Sequence, residues 1–472
     1  MSNQAKSQFT RRNFLKASLA AATLAALPGT RRALAMQRES ESGRKAARQA
    51  AKTIKVLALA WPSTATEQKL ADETFTPDTG IKVELEALDY TFMEQRVKQL
   101  VSGKSDTYDI YHYDSQWLGG FVLGGALERL DTPDYLGNSK ATIKFDDFHP
   151  EIAARLGRYP SVETALRTGK LDAMKDVPIY GLPWSLNCEV LWYRKDIIKN
   201  VPETWDDLRK LAKQVTTKDY YGMAFHANRA ADYITVEYLP LLWAFGGDLW
   251  DAEKWIANGY INGAPAVKAL EFMRDMWKVD KSVDPASGGW GFNERLNALL
   301  QGKTAMAQNW APLFGNLPED PKSSAVVGKI GYAVVPKGPG GRAAMFGCQG
   351  TGINANSKNK AEAWMYEQWL LSKDTQSALL KTLPAGFISS RKDLADEAAK
   401  TSEWHKAFVD SIPIIRDMWN NGDYAELLDI CARQLNLGYI DKVPAKKALD
   451  DAATAQQVVY DSSPENPKNK KK

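Results

Sequence analysis

Apolar positions along the chain follow two periods in turn. Ile54, Val56, Leu57 and Leu59 predict a short buried strand, a helical segment follows from about Thr66 to Phe75, and Ile81, Val83, Leu85 and Ala87 alternate strictly as a second strand. Strand, helix and strand in so short a stretch make a βαβ unit. A further helix carries Phe92, Met93, Val97, Leu100 and Val101, and Tyr108 to Tyr113 predicts a strand that ends at Asp114. Later, a polar loop from Gly181 to Glu189 enters an apolar run, Val190 to Tyr193, read as a core strand. Thr204 then opens a helix with Leu208, Leu211, Ala212 and Val215 on one face, and Asp207 stands three residues after the cap. Leu296, Leu299 and Leu300 predict a helix, Ala305 to Gln308 a strand, Gly331 to Pro336 another, and the stretch from Ser357 a helix with Ala361, Trp364 and Trp369 inward. Open sheets of this kind bind ligands beyond the carboxyl ends of their strands. Trp61, Tyr90, Asp114 and Trp117 all lie just past such ends.

The N-terminus has a different pattern. Arg11 and Arg12 precede Phe14-Leu15-Lys16, an uncharged run reaches Leu27, and Ala33-Leu34-Ala35 offers a small-residue cleavage site, so residues 1–35 read as an export signal. The arginine pair resembles a twin-arginine signal, with Thr10 where Ser is usual. The apolar run is too short to span a bilayer. Removing residues 1–35 takes away only basic groups and leaves 55 basic against 57 acidic residues, a net charge of −2 in place of +4. A near-neutral body gives no electrostatic case for nucleic acid or an anionic membrane surface. Cys188, Cys348 and Cys431 are too widely spaced for a disulfide framework or a zinc site and are expected to be buried. Residues 36–52 lack an apolar face and read as a mobile leader, and 462–472 as a disordered polar tail.

Four blocks resemble the extracellular solute-binding proteins of sugar-importing ABC transporters, the maltose-binding-like family. Gly181, Leu182, Pro183, Asn187, Leu191, Tyr193, Lys195 and Asp196, followed by Pro202 and Thr204 to Leu208, match a loop, strand and capped helix recurrent there. DIYHYDSQWLGGFVLGGALERLD, Asp109 to Asp131, is similar to a segment whose carboxylate, here Asp114, often accepts hydrogen bonds from sugar hydroxyls. GKTAMAQNWAP, from Gly302, resembles a segment whose tryptophan, here Trp310, stacks on a sugar ring. Gly347, Ile353, Ser357, Asn359, Lys360, Ala363 and Trp364 match a fourth block, in which Cys348 and Gln349 replace a usual Gly-Trp and substitute an amide for an aromatic platform. The resemblance also makes candidates of Trp243 and Gly247 at the Gly246-Gly247 break, of Arg391 and of Tyr424, while Phe245 reads as core.

These blocks imply an α/β chain with the two-lobed periplasmic-binding-protein fold, its mostly parallel sheets flanked by helices and its lobes joined by hinged crossings near Asp131, Gly338 and Ser389. Residues 53–131 with 344–388 are expected to form the N-terminal lobe, and 132–338 with 392–461 the C-terminal lobe. The expected ligand contacts are Trp61, Tyr90, Asp114, Trp117, Trp184, Asn187, Trp243, Gly247, Trp310, Gln349, Arg391 and Tyr424, with an ionised Asp114 facing Trp310 across the cleft. Trp and Tyr faces suit the C–H side of a pyranose, and Asp, Asn, Gln and Arg its hydroxyls. The implied function is periplasmic binding of a sugar or oligosaccharide by a soluble monomer and its delivery to a membrane permease, without catalytic residues, metal or cofactor. The competing class is a periplasmic enzyme exported folded with a cofactor or metal. No HExxH, CxxC, GxSxG or GxGxxG motif supports it, and His112, His149, His226 and His405 are scattered. An iron site using Tyr111 or Tyr113 is a third reading. Gly302-Lys303-Thr304 is no phosphate loop, because Asn297 stands where the motif needs glycine.

Overall fold

A computed structural model describes residues 52–311, 317–383 and 386–469 of the chain, so the export signal and nearly all of the leader lie outside it. Strands β1 (Thr53–Leu59), β2 (Lys82–Leu88) and β3 (Ile110–Asp114) form the parallel core of a five-stranded sheet ordered β2-β1-β3-β10-β4, completed by β4 (Leu182–Ser185) and β10 (Gln349–Ile353). A second sheet is ordered β6-β7-β5-β8, with β5 (Glu189–Arg194), β6 (Tyr221–Ala224), β7 (Thr304–Trp310) and β8 (Ile330–Ala333). Short β9 (Ala344–Met345) and β11 (Ile415–Arg416) pair parallel between them.

Helix α1 (Pro62–Leu70) begins before the expected Thr66, because Pro62 supplies a fixed φ at the first turn, where its missing N–H costs nothing. α2 spans Tyr90–Ser102. α3 (Trp205–Val215) is capped as the sequence implies: Thr204 Oγ1 accepts from Asp207 N at 3.0 Å. α4 (Tyr233–Ala244) ends at Gly246, whose φ of +88° suits glycine. Behind the first sheet, Ile54, Val56, Val83, Ile110, Leu182 and Ile353 form one apolar core; Leu191, Met223 and Met306 join α4 in another. Each such side chain contributes about 1.5–3 kcal/mol of burial.

Three expectations differ from the structure. The sheets are mixed: β10 runs antiparallel to β3 and β4, and β5 antiparallel to β7 and β8, because each enters its sheet from the other lobe, through a link of a few residues. β4 lies in the stretch 132–338 ascribed to the C-terminal lobe, yet its partner is β10 of the first sheet; only long-range pairing decides this. The tail is ordered through residue 469. Asn466 donates Nδ2 to Tyr460 O at 2.8 Å, Ser463 and Asn466 are buried, and Glu465 accepts from Gly422 N at 2.7 Å and from the Tyr159 hydroxyl.

Candidate functional site

Three strands end at one gap between the sheets. β3 delivers Asp114, β7 delivers Trp310, and the turn after β1 delivers Trp61, whose N–H donates to Leu59 O at 2.8 Å. Backbone pairing sets Gln349 beside Asp114. Asn187 sits in the link between β4 and β5, and Gly347 in the link between β9 and β10. Tyr90 opens α2; Asp232 and Val236 come from the start of α4, and Phe292 opens α5 (Phe292–Leu300). Together these residues line a cavity of about 30 Å³, small against the roughly 300–1,000 Å³ of ordinary ligand pockets, so the two walls are nearly in contact. A larger cavity, about 440 Å³, lies beyond Met418 and is lined by residues 160–168, 248–255 and 417–421. It is held by ion pairs, Asp248 to Arg167 at 2.5 Å and to Arg416 at 3.1 Å, and the segment directly after β11 forms part of its wall.

The small cavity is acidic and aromatic. Tyr90 donates its hydroxyl to Asp232 Oδ2 at 2.9 Å, and Gln116 Nε2 donates to Tyr90 Oη at 3.2 Å and to Asp114 Oδ2 at 3.4 Å. Burial, and next the neighbouring Asp232 charge, push Asp114 up to about 7, which corrects the expectation of a carboxylate ionised without contest. Tyr90 and Trp61 rings lie 6.5 Å apart, and Phe292 packs edge-on to Trp310 at 6.3 Å.

Beneath the second wall lies a fully buried ionic group. Arg295 donates Nη1 to Glu189 at 3.0 Å and to Glu237 at 2.7 Å, and Nη2 to Asn309 at 3.1 Å; His226 meets Glu237 at 2.5 Å and Gln308 donates to it at 3.0 Å. Burial works against the Glu237 carboxylate, yet Arg295 and His226 hold it below its ordinary value, while burial pushes Glu189 up to about 8. Glu189 is the cross-strand partner of Trp310, and Phe292 packs on His226 at 5.2 Å. The network therefore braces both rings of that wall.

Of the residues singled out from sequence, Trp61, Tyr90, Asp114, Asn187, Trp310 and Gln349 line this cavity. Trp117 lies behind it, 5.9 Å from the Tyr90 ring, and shares an adjoining apolar groove with Tyr424. Four others are elsewhere. Strand alternation turns Trp184 into the first core, between His112 and Phe387. Trp243 is buried under the Arg416 guanidinium at 4.8 Å. Gly247 is packed so closely that a β-carbon would stand 2.4 Å from Leu242 Cδ1, and Arg391 is occupied by Asp147 and Asp393, each at 3.3 Å. Tyr111 and Tyr113 are core residues, with Tyr113 Oη donating to Leu156 O at 2.6 Å, which removes the iron reading's ligands. Sequence reasoning missed Gln116, Asp232, Val236, Phe292, Phe346, Gly347 and Met418. Asp232 and Phe292 stand at helix starts, a signal that was available. Among the described residues no group of His, Cys, Asp and Glu has metal-site geometry, and no helix is long and apolar enough to cross a membrane.

Comparison with known proteins gives consistent results. Residues 8–28 match the signal sequence of the twin-arginine translocation pathway, which directs export to the periplasm. A probable amino-acid ABC transporter periplasmic-binding protein of Sinorhizobium fredii is 26% identical over 404 residues, covering 82% of each chain. A ribitol-bound ABC transporter solute-binding protein of Agrobacterium radiobacter K84 superposes with a TM-score of 0.72 at 24% identity, over 86% of this chain and 98% of that one. Maltose-bound T. maritima MalE3 does so with a TM-score of 0.73 at 21% identity, over 87% and 100%. The pattern of the bacterial extracellular solute-binding proteins matches residues 60–377, more than half of the chain. By its sequence, its two-lobed fold and its export signal, the chain belongs to the bacterial extracellular solute-binding protein family.

Proposed function

We propose that the chain binds a small polyhydroxylated solute, a sugar or polyol, between its lobes and hands it to the membrane permease of an ABC importer. The observation that carries this reading is the convergence of Trp61, Tyr90 and Trp310 with Asp114, Asn187 and Gln349 in the gap where β1 and β3 of one sheet and β7 of the other end. Flat apolar faces beside carboxylate and amide groups suit a molecule with C–H faces and an equatorial rim of hydroxyls. The ribitol and maltose carried by two proteins of the same fold agree with that chemistry. The cavity of about 30 Å³ admits no such molecule until the lobes part, and the links at 186–188 and 346–348 are the natural hinges. We assign the lobes to the two sheets, with β4 in the first. On this reading the protein acts as a monomer, is not an enzyme and needs no cofactor.

An amino-acid solute, suggested by the name of the Sinorhizobium relative, is less well served: its carboxylate needs a cation, and no Lys, Arg or His is among the described residues that line the cavity. A thermal-shift screen with sugars, polyols and amino acids tests the proposal. A ligand at 100 times its dissociation constant stabilises by about 2.7 kcal/mol. A shift with amino acids and none with polyhydroxylated compounds would reverse it.

A further inference from the structure

The interior of this protein treats its buried carboxylates in two ways. Glu189 and Glu237, fully buried, share the guanidinium of Arg295. Asp114 is 8% exposed, and its hydrogen-bonding neighbours are the neutral Tyr90, Gln116 and Gln349. The charged groups acting on it are two further carboxylates, Asp232 and Asp417. Charges taken out of water are ordinarily paired, because the cost of removing their hydration is returned only by an opposite charge or a full set of donors. Asp114 has no opposite charge among the described residues lining its own cavity.

Two further valences are open in the cavity: the indole Nε1–H of Trp61, a donor that the lone pair of a solute hydroxyl can meet, and an acceptor on Asn187. Asn187 is 5% exposed and its Oδ1 accepts no hydrogen bond, so the cavity floor presents a second acceptor. Around these acceptors stand the rings of Trp61, Tyr90, Phe292 and Trp310, whose faces attract cations. An ammonium group offers three donors and no acceptor. A hydroxyl offers one donor, and its lone pairs suit the Trp61 N–H rather than the Asp114 and Asn187 acceptors.

Resting on the reading that this cavity holds the solute, we infer that the solute carries a protonated amine among its hydroxyls, an amino sugar or amino polyol, with the ammonium seated against Asp114 and Asn187. The upward displacement of Asp114 to about 7, caused first by burial and then by Asp232, is the strain that such a cation would relieve. The same arrangement disfavours phosphorylated and carboxylated sugars.

Matched pairs separate the inference from the reading it rests on. Calorimetric titrations of the mature protein would compare D-glucosamine with D-glucose, and 1-amino-1-deoxysorbitol with sorbitol. The amine of at least one pair is expected to bind tighter by about 10-fold or more, the worth of a charge-assisted hydrogen bond. Asp114→Asn should remove most of that preference, so that the affinity ratio of each pair falls toward one, with cooperative unfolding retained in the absence of solute. Should that variant fail to fold, the wild-type pairs still decide. Equal or tighter binding of the neutral members overturns the amine and leaves the polyhydroxylated solute standing. Binding by no member of either pair counts against both.

Discussion

Gly347 and Trp310 touch: a β-carbon on Gly347 would stand 2.3 Å from Cζ3 of the indole. One is in the link between β9 and β10 and the other at the end of β7, so the absence of a side chain at 347 leaves room for the ring. Gly347→Ala should force the ring out of place, at about 1–3 kcal/mol of overpacking. The expected result is solute affinity weakened by about 10-fold or more, read by titration calorimetry, with cooperative unfolding retained. Unaltered affinity would mean that the ring is not part of the site.

Asp114 and Trp310 reach the same cavity from different sheets. Asp114→Ala removes the buried acceptor and should cost roughly 10- to 150-fold in affinity, the range for a hydrogen bond to a charged group. Trp310→Ala should cost a comparable amount, and Trp310→Phe should retain part of the binding because a flat face remains. Calorimetry with the solute found by screening checks all three. Wild-type affinity in the Asp114 and Trp310 alanine variants would locate binding elsewhere.

Arg295 is the single cation between Glu189 and Glu237 in a network with no exposed member. Arg295→Met should cost about 3–5 kcal/mol, because the Glu237 carboxylate is then left without its counter-charge and Glu189 without its hydrogen-bond partner. Adding Glu189→Gln and Glu237→Gln should recover part of the loss. Chemical denaturation of the single and triple variants measures this, and a single variant of wild-type stability would refute the assignment.

Stability should fall as pH rises from about 6.5 to 8. Burial raises Asp114 and Asp417 to about 7, and Glu189 and Glu367 to about 8, so the folded chain holds protons that the unfolded chain has already released. That stabilisation is complete below the unfolded carboxylate range and is lost through the folded values. The opposing histidines, His112 lowered to about 3 and His226 and His405 to about 4, also by burial, act below their unfolded value near 6.5 and so leave this window clear. Melting temperatures across the window check the sign, and Asp114→Asn should flatten the slope.

Replacing Arg11 and Arg12 by Lys should retain the precursor in the cytoplasm, since the translocation machinery reads the pair as an address. Fractionation of expressing cells measures it, and undiminished periplasmic protein would contradict it.

What could be read from the chain was what local chemistry decides. The Thr204 cap and the end of β3 at Asp114 depend on residues a few positions apart. The sheet to which β4 belongs depends on Gln349 to Thr351, far along the chain, and no periodicity carries that. Trp184 had the composition of a site residue, but strand alternation turns it inward. Asp232 and Phe292 were passed over although each stands at a helix start, because no run of neighbours ties that position to a site. The ionisation expected of Asp114 is opposed by burial and by Asp232, a carboxylate far along the chain that no local pattern brings beside it. The tail is polar enough to suggest disorder, but Glu465 accepts from Tyr159 and Gly422, and Asn466 donates to the Tyr460 carbonyl at the end of the last helix.

On the lobe assignment proposed above, Asn187 and Gly347 belong to links between the lobes, whereas Trp61, Tyr90, Phe292 and Trp310 each ride on one lobe alone. Opening about those links would carry the aromatic walls apart like jaws and leave the sill between them where it is. A solute arriving at the opened molecule would therefore meet its hydrogen-bonding partner on the sill first and its stacking partners only as the jaws return. Capture would then proceed in two stages, with polar recognition preceding the exclusion of water.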